Sequence, residues 1–230
     1  HPMASRAQNS KFTLVVTIVV VLLAVLAWFG LQALDGASPE AATPRGEGSA
    51  VTSVSAAVRA AAEQDAEDAT SEQLDNADPR MCEEATVERV VDGDTIIVRV
   101  NGQRERVRLV GMNAPESVHE DESKNTPEGH EASDHLKSLL HEGDTVYLQQ
   151  DTSSTDQYDR RLAYVWDMLP ADVQDALNPE TIFVHMINAR QIADGYAQAR
   201  TYKPDTLHDE LFHTWGEEAA HQGAGVSYAW

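Results

Sequence analysis

Residues 85–110 read ATVERVVDGDTIIVRVNGQRERVRLV, and this stretch sets the fold class. Two runs rich in β-branched residues, Ala85–Val91 and Thr95–Val100, flank the turn Asp92-Gly93-Asp94. Asn101-Gly102 is a strong hairpin signal. Arg104–Val110 alternates charged and apolar side chains, as a half-buried strand does. Together they predict a three-stranded meander. Downstream, Ala132, His135, Leu136, Leu139 and Leu140 recur at helical spacing, predicting a helix over 128–141 that ends at Gly143. Thr145–Gln150 and Leu162–Trp166 read as strands four and five. Pro170 and Pro179 bracket a polar insertion. Ile182–Ile192 and Asp205–Gln222 read as helices, the latter with Asp205 as its N-cap. The order β-β-β-α-β-β-α-α predicts an α+β domain. Its expected form is a five-stranded barrel of the oligonucleotide/oligosaccharide-binding (OB) type with three packed helices.

Upstream of this domain the texture changes twice. Leu14–Leu31 (LVVTIVVVLLAVLAWFGL) carries no charge. As a helix, 18 residues at about 1.5 Å each span roughly 27 Å, close to a bilayer's hydrocarbon core. Arg6 and Lys11 before it, and Asp35 and Glu40 after it, place the N-terminus in the cytoplasm and the remainder outside. The expectation is a short cytoplasmic segment (1–11) and a single-pass signal anchor (12–31). A cleaved signal peptide, cut near Leu31-Gln32-Ala33, is the alternative. Residues 32–83 are rich in Ala, Ser, Thr, Glu and Asp and poor in large apolar side chains, so they read as a disordered tether. Within it Ala56–Asp68 has the composition of a marginal helix. Residues 84–230 are the globular part, displayed at the cell membrane on its outer side or secreted.

Charge and cysteine content exclude several classes. The 230-residue chain has net charge −21, and residues 84–230 hold 12 Lys and Arg against 27 Asp and Glu, a net −15. Bulk positive charge therefore cannot drive nucleic-acid binding. Cys82 is the only cysteine, which excludes an internal disulfide and multi-cysteine zinc modules. His119, His130, His135 and His141 form no H-E-x-x-H pattern and read as loop or helix-face residues. Trp166, Trp215, Trp230, Tyr164 and Tyr196 read as packing residues.

Chemistry concentrates in three places. Asp94 sits in the D-G-D-T turn. Asn113 and Glu116 sit in the turn N-A-P-E after strand three. Arg108 lies on the strand leading into that turn, and Arg160-Arg161 follow Asp156-Gln157-Tyr158-Asp159. Oxygen-only donors suit a hard cation such as Ca²⁺. Cation, carboxylate and guanidinium together suit a phosphodiester: positive charge meets the charge developing on phosphoryl oxygens, and a carboxylate takes a proton from water.

Val90-Val91-Asp92-Gly93-Asp94-Thr95, Val107–Glu116 (VRLVGMNAPE) and Asp156–Tyr164 (DQYDRRLAY) together resemble the staphylococcal nuclease family. So do Gly129-His130-Glu131-Ala132 and Tyr202-Lys203-Pro204. The resemblance covers residues 84–230. It implies a Ca²⁺-dependent hydrolase of DNA and RNA, single-stranded or unpaired substrates being favoured, with products carrying 3′-phosphates. It implies Asp94, Asn113 and the Ala114 main-chain carbonyl as metal ligands and Glu116 as the general base. Arg108 and Arg160 would be the phosphate-gripping catalytic arginines, and Tyr158 and Tyr202 substrate contacts. No protein partner is implied, and a monomer is expected. The chain departs from the family pattern at Asn113, where an aspartate is usual, at Gln157, where a lysine is usual, and at Arg200, where an aromatic residue is usual. The amide at 113 removes one negative charge, so weaker metal binding is expected. The alternative readings are a weakened module of the same fold that holds nucleic acid or another partner without turnover, and an acidic surface protein that recruits a basic partner.

Overall fold

The computed structural model describes residues 54–117 and 125–229. The apolar segment 14–31, the first part of the expected tether and His119 lie outside the described residues. Among the described residues no helix is long and apolar enough to cross a membrane.

The barrel forms as the sequence pattern predicts. Strands β1 (Glu83–Asp92), β2 (Thr95–Val100) and β3 (Gln103–Leu109) make an antiparallel meander. After the short β4 (Met112–Asn113) and a helix, β5 (Thr145–Gln149) pairs with β1, and β6 (Arg161–Trp166) pairs antiparallel with β5 and parallel with β3. The order β1-β2-β3-β6-β5 closes the barrel. Asn101 (φ 50°) and Gly102 (φ 81°) make the β2–β3 turn with both residues at positive φ, the geometry that a two-residue hairpin demands. Two register shifts in β1, at Val87/Arg89 and Val90/Asp92, mark bulges that bend the strand around the barrel. Val87, Ile96, Val98, Val107, Leu109, Val146, Leu148, Ala163 and Val165 are buried in the core.

Helices cover the barrel, and there are more of them than the three expected. Two precede it: α1 (Ala56–Asp68) and α2 (Ser71–Asn76). The expectation of a disordered tether running to residue 83 therefore fails for residues 54–83. Helix α1 buries Val58 and Ala62, and Asp65 accepts the backbone N–H groups of Glu210 and Leu211, each at 2.9 Å. Helix α2 is closed by a capping box between Thr70 and Gln73. The buried Gln73 amide donates to Asp151 Oδ1 at 2.8 Å. A composition poor in large apolar residues thus folds because small side chains permit close approach and polar groups from the barrel side complete it.

Helix α3 (Pro127–Leu139) is capped by Thr126. The insertion after β6 holds a one-turn helix α4 (Val173–Ala176), capped by Asp172. The single helix expected over 182–192 is two: α5 (Pro179–His185) and α6 (Ile187–Ala193). They break at Met186, whose extended backbone bridges to Trp166 at the end of β6. Strand β7 (Gln198–Ala199) pairs with β4. The last helix, α7, runs Asp209–Gln222, later than expected, and its N-cap His208 makes no side-chain cap. Asp205 instead accepts the amides of Thr152 (3.0 Å) and Ser153 (2.6 Å). The free amides at the start of α7 go to Asp65.

Candidate active site

The meander brings the D-G-D turn, the end of β3 and the N-A-P-E segment to one end of the barrel. Asp94 is buried. Its Oδ2 accepts the Ala114 amide (3.0 Å) and lies 3.0 Å from Arg108 Nη2, while its Oδ1 accepts the Thr95 hydroxyl at 2.9 Å. Arg108, also buried, donates from Nη1 to the Leu109 carbonyl (2.9 Å) and from Nη2 to Asn113 Oδ1 (3.2 Å). One guanidinium thus gathers Asp94 and Asn113, two of the expected metal ligands. The Ala114 backbone is joined to the same place through its N–H.

Asp92 was not among the expected site residues, although its carboxylate recurs two positions before Asp94. It accepts the Asp94 N–H at 3.3 Å. Burial, and then the neighbouring Asp94 charge, push its carboxyl up to about 7, with Glu116 adding to the rise. Asp92 and Asp94 are neighbours in this turn, and the Glu116 charge is near enough to act on Asp92. The Glu116 side chain is exposed. Its main chain is gripped: the Glu116 carbonyl accepts the Thr126 N–H at 3.0 Å, and a Cβ on Gly129 would stand 2.1 Å from that oxygen. Glycine at the start of the G-H-E-A motif is what lets α3 pack against the Glu116 segment.

A cavity of about 310 Å³ opens beside this cluster, lined by Arg108, Leu109, Asp156, Tyr158, Arg160 and Tyr202, among others. Arg108 faces both the acidic turn and the cavity. Arg160 is held by Asp156, a second residue that the sequence reading did not single out. Asp156 Oδ2 is 2.7 Å from Arg160 Nε and 2.6 Å from Nη2; its Oδ1 accepts the backbone N–H groups of Tyr158 (2.9 Å) and Arg160 (3.0 Å). The Arg160 guanidinium lies over the Tyr158 ring, 5.4 Å from its centroid. Tyr158 is 71% exposed and Tyr202 45%, so both rings are open to a ligand. Arg161 turns away from this group and pairs with Glu83 (2.7 Å) and Glu105 (3.3 Å).

The oxygen donors Asp94, Asn113, Asp92 and Glu116 suit a hard cation: none is nitrogen or sulfur, and the repulsion from Asp94 and Glu116 that adds to burial in raising Asp92 is what a divalent ion relieves. Among the described residues, no group of three or more His, Cys, Asp or Glu side chains is preassembled to hold a metal. Arg108 stands as the counter-charge of Asp94.

A barrel with two guanidinium groups on a small cavity beside clustered carboxylates defines a phosphate-handling protein. Comparison with known sequences agrees. The family described as "Staphylococcal nuclease homologue" matches residues 106–226. The chain is 38% identical over 136 residues to a thermonuclease of Staphylococcus intermedius, covering 58% of this chain and 69% of that protein. It is 37% identical over 125 residues to a thermonuclease of Staphylococcus hyicus, covering 53% and 62%. It is 30% identical over 135 residues to the endonuclease YncB of Bacillus subtilis, covering 58% and 56%. The chain belongs to the staphylococcal nuclease family.

Proposed function

We propose that this protein is a Ca²⁺-dependent nuclease that hydrolyses the phosphodiester bonds of DNA and RNA. The observation that carries this reading is Arg108, which contacts the acidic turn and also lines the cavity that holds Arg160. A phosphate in that cavity meets two guanidinium groups, which neutralise the charge that builds on its oxygens as the bond breaks. Asp156 keeps Arg160 in place until a phosphate competes for it. Glu116, an exposed carboxylate whose charge reaches Asp92 in the acidic turn, takes the proton of the attacking water. The 5′-oxygen leaves. Tyr158 and Tyr202 offer open rings to the bound nucleotide, which favours strands whose bases are unpaired.

Asp94, Asn113 and the Ala114 carbonyl would hold Ca²⁺, which supplies further positive charge to the phosphoryl oxygens. The domain's net charge of −15 repels a polyanion at long range, so association is weak and non-processive. We propose the working location as the outer side of the cell membrane, on the strength of the apolar segment 14–31, with the protein monomeric. Digestion of plasmid, single-stranded DNA and RNA by the purified chain, with Ca²⁺ and with chelator, tests the reading. Cleavage with Ca²⁺ alone is expected; binding without cleavage would instead assign the chain to non-catalytic modules.

A further inference from the structure

The D-G-D turn is anchored from behind by a polar chain through the protein interior. Gln191, on α6, is fully buried. Its Nε2 donates to the Gly93 carbonyl at 2.8 Å and to the Ala132 carbonyl at 3.2 Å. Both amide hydrogens are then spent, which turns Oε1 toward α3 and requires a donor there. His135 Nδ1 supplies it. His135 is fixed in turn by stacking on Tyr196, with ring centroids 4.1 Å apart and planes at 11°, and by Asp194 Oδ2, 3.1 Å from its Nε2. On its other side Gly93 has no slack: a Cβ there would stand 2.6 Å from Ala114 Cβ and 2.9 Å from Ala132 Cβ.

We propose that Gln191, oriented by His135, is a positioning residue for the acidic turn. Gly93 lies between Asp92 and Asp94, so the place of its carbonyl sets where both carboxylates point. Ordinary core packing does not require this arrangement, because an apolar side chain would fill the space between α3, α6 and the barrel without contacting the turn's carbonyl. The Gln191 amide ties the turn to two helices at once. The proposal rests on the reading of Asp94 as a metal-holding residue.

The test uses Gln191→Met, which keeps the volume and flexibility of the side chain but removes both donors, and His135→Phe, which keeps the ring stack but removes the Nδ1–H. Calorimetric Ca²⁺ titration of the full chain is expected to show affinity lowered about tenfold in Gln191→Met, with a smaller loss in His135→Phe. The KM for single-stranded DNA at saturating Ca²⁺ stays at the wild-type value, because the cavity is untouched. Without Ca²⁺, amide hydrogen exchange of residues 92–95 speeds up about tenfold more than that of the barrel as a whole. Wild-type Ca²⁺ affinity together with unchanged local exchange, in variants that only melt earlier, would overturn the proposal. A wild-type protein that binds no Ca²⁺ would sink the metal reading instead, and the exchange of residues 92–95 would still decide the positioning role. Should Gln191→Met fail to fold, His135→Phe decides it by the same two readouts.

Discussion

Arg160 is held at both Nε (2.7 Å) and Nη2 (2.6 Å) by a single oxygen of Asp156, four residues before it. The other oxygen of the same carboxylate organises the turn by accepting the Tyr158 and Arg160 amides. These two roles separate under substitution. Asp156→Asn keeps an oxygen for the turn but removes the charge that competes with a phosphate for Arg160, so KM for single-stranded DNA is expected to fall or hold while the fold is kept. Asp156→Ala removes both roles; KM is expected to rise and stability to drop by about 1–3 kcal/mol. Steady-state kinetics and urea melts of the pair check this. A rise in KM equal in both variants would contradict it.

Gly129→Ala sets two effects against each other. Alanine favours a helix by about 1 kcal/mol over glycine. Its Cβ, however, would stand 2.1 Å from the Glu116 carbonyl oxygen, a main-chain atom that cannot swing aside. The clash wins, the Glu116 segment shifts, and turnover is expected to fall about a hundredfold. Initial cleavage rates at saturating Ca²⁺ provide the measurement, and wild-type turnover would refute the coupling.

Asp65 joins the segment before the barrel to the last helix. Its carboxylate satisfies two main-chain donors that no local cap serves. Asp65→Ala is expected to destabilise the protein by about 1–3 kcal/mol without changing KM, since the site lies elsewhere. Urea unfolding with unchanged midpoint would show the contact to be incidental.

His208 contributes a loss of stability as pH falls. This ring is buried, its Nε2 has no hydrogen-bond partner, and burial lowers its pKa from the usual 6.5 to about 3. The unfolded chain therefore binds a proton between pH 6.5 and 3 that the folded chain does not. The stabilising difference is whole above pH 6.5 and is lost at about 1.4 kcal/mol per pH unit as pH falls through that window. Asp65 and Asp92 act in the opposite sense: burial raises each to about 7, so their contribution is whole below the ordinary carboxylate range and is lost as pH rises through 7. His208→Phe isolates the first effect: the variant's stability relative to wild type should rise as pH falls from 7 to 4, whatever net slope the two aspartates impose on both proteins. A difference between variant and wild type that does not change with pH would rule His208 out.

The barrel was legible because its signals are local. Asn101-Gly102 states its own turn, and Arg104–Val110 states which face is buried. The clustering of Asp94, Asn113 and Arg108 was legible through the order of motifs along adjacent strands. Asp92 and Asp156 were not singled out, because a carboxylate two residues from another carboxylate, or four from an arginine, is indistinguishable in sequence from a surface turn. Helix α1 was misread as tether because its stability resides in contacts with α7, more than 140 residues away, rather than in its own composition. The break at Met186 was hidden for a similar reason: the bridge to Trp166 that imposes it is tertiary.

Cleavage of single-stranded DNA in Ca²⁺ by the wild-type chain, Glu116→Gln and Arg160→Ala bears most directly on the site. The expected result is rapid cleavage by wild type, abolished by chelator, and turnover lower by about 10²–10⁴-fold in each variant with unfolding midpoints unchanged. Full activity in either variant, with Ca²⁺ present and the fold intact, would contradict the assignment of a proton-accepting carboxylate and a phosphate-gripping guanidinium to this cavity.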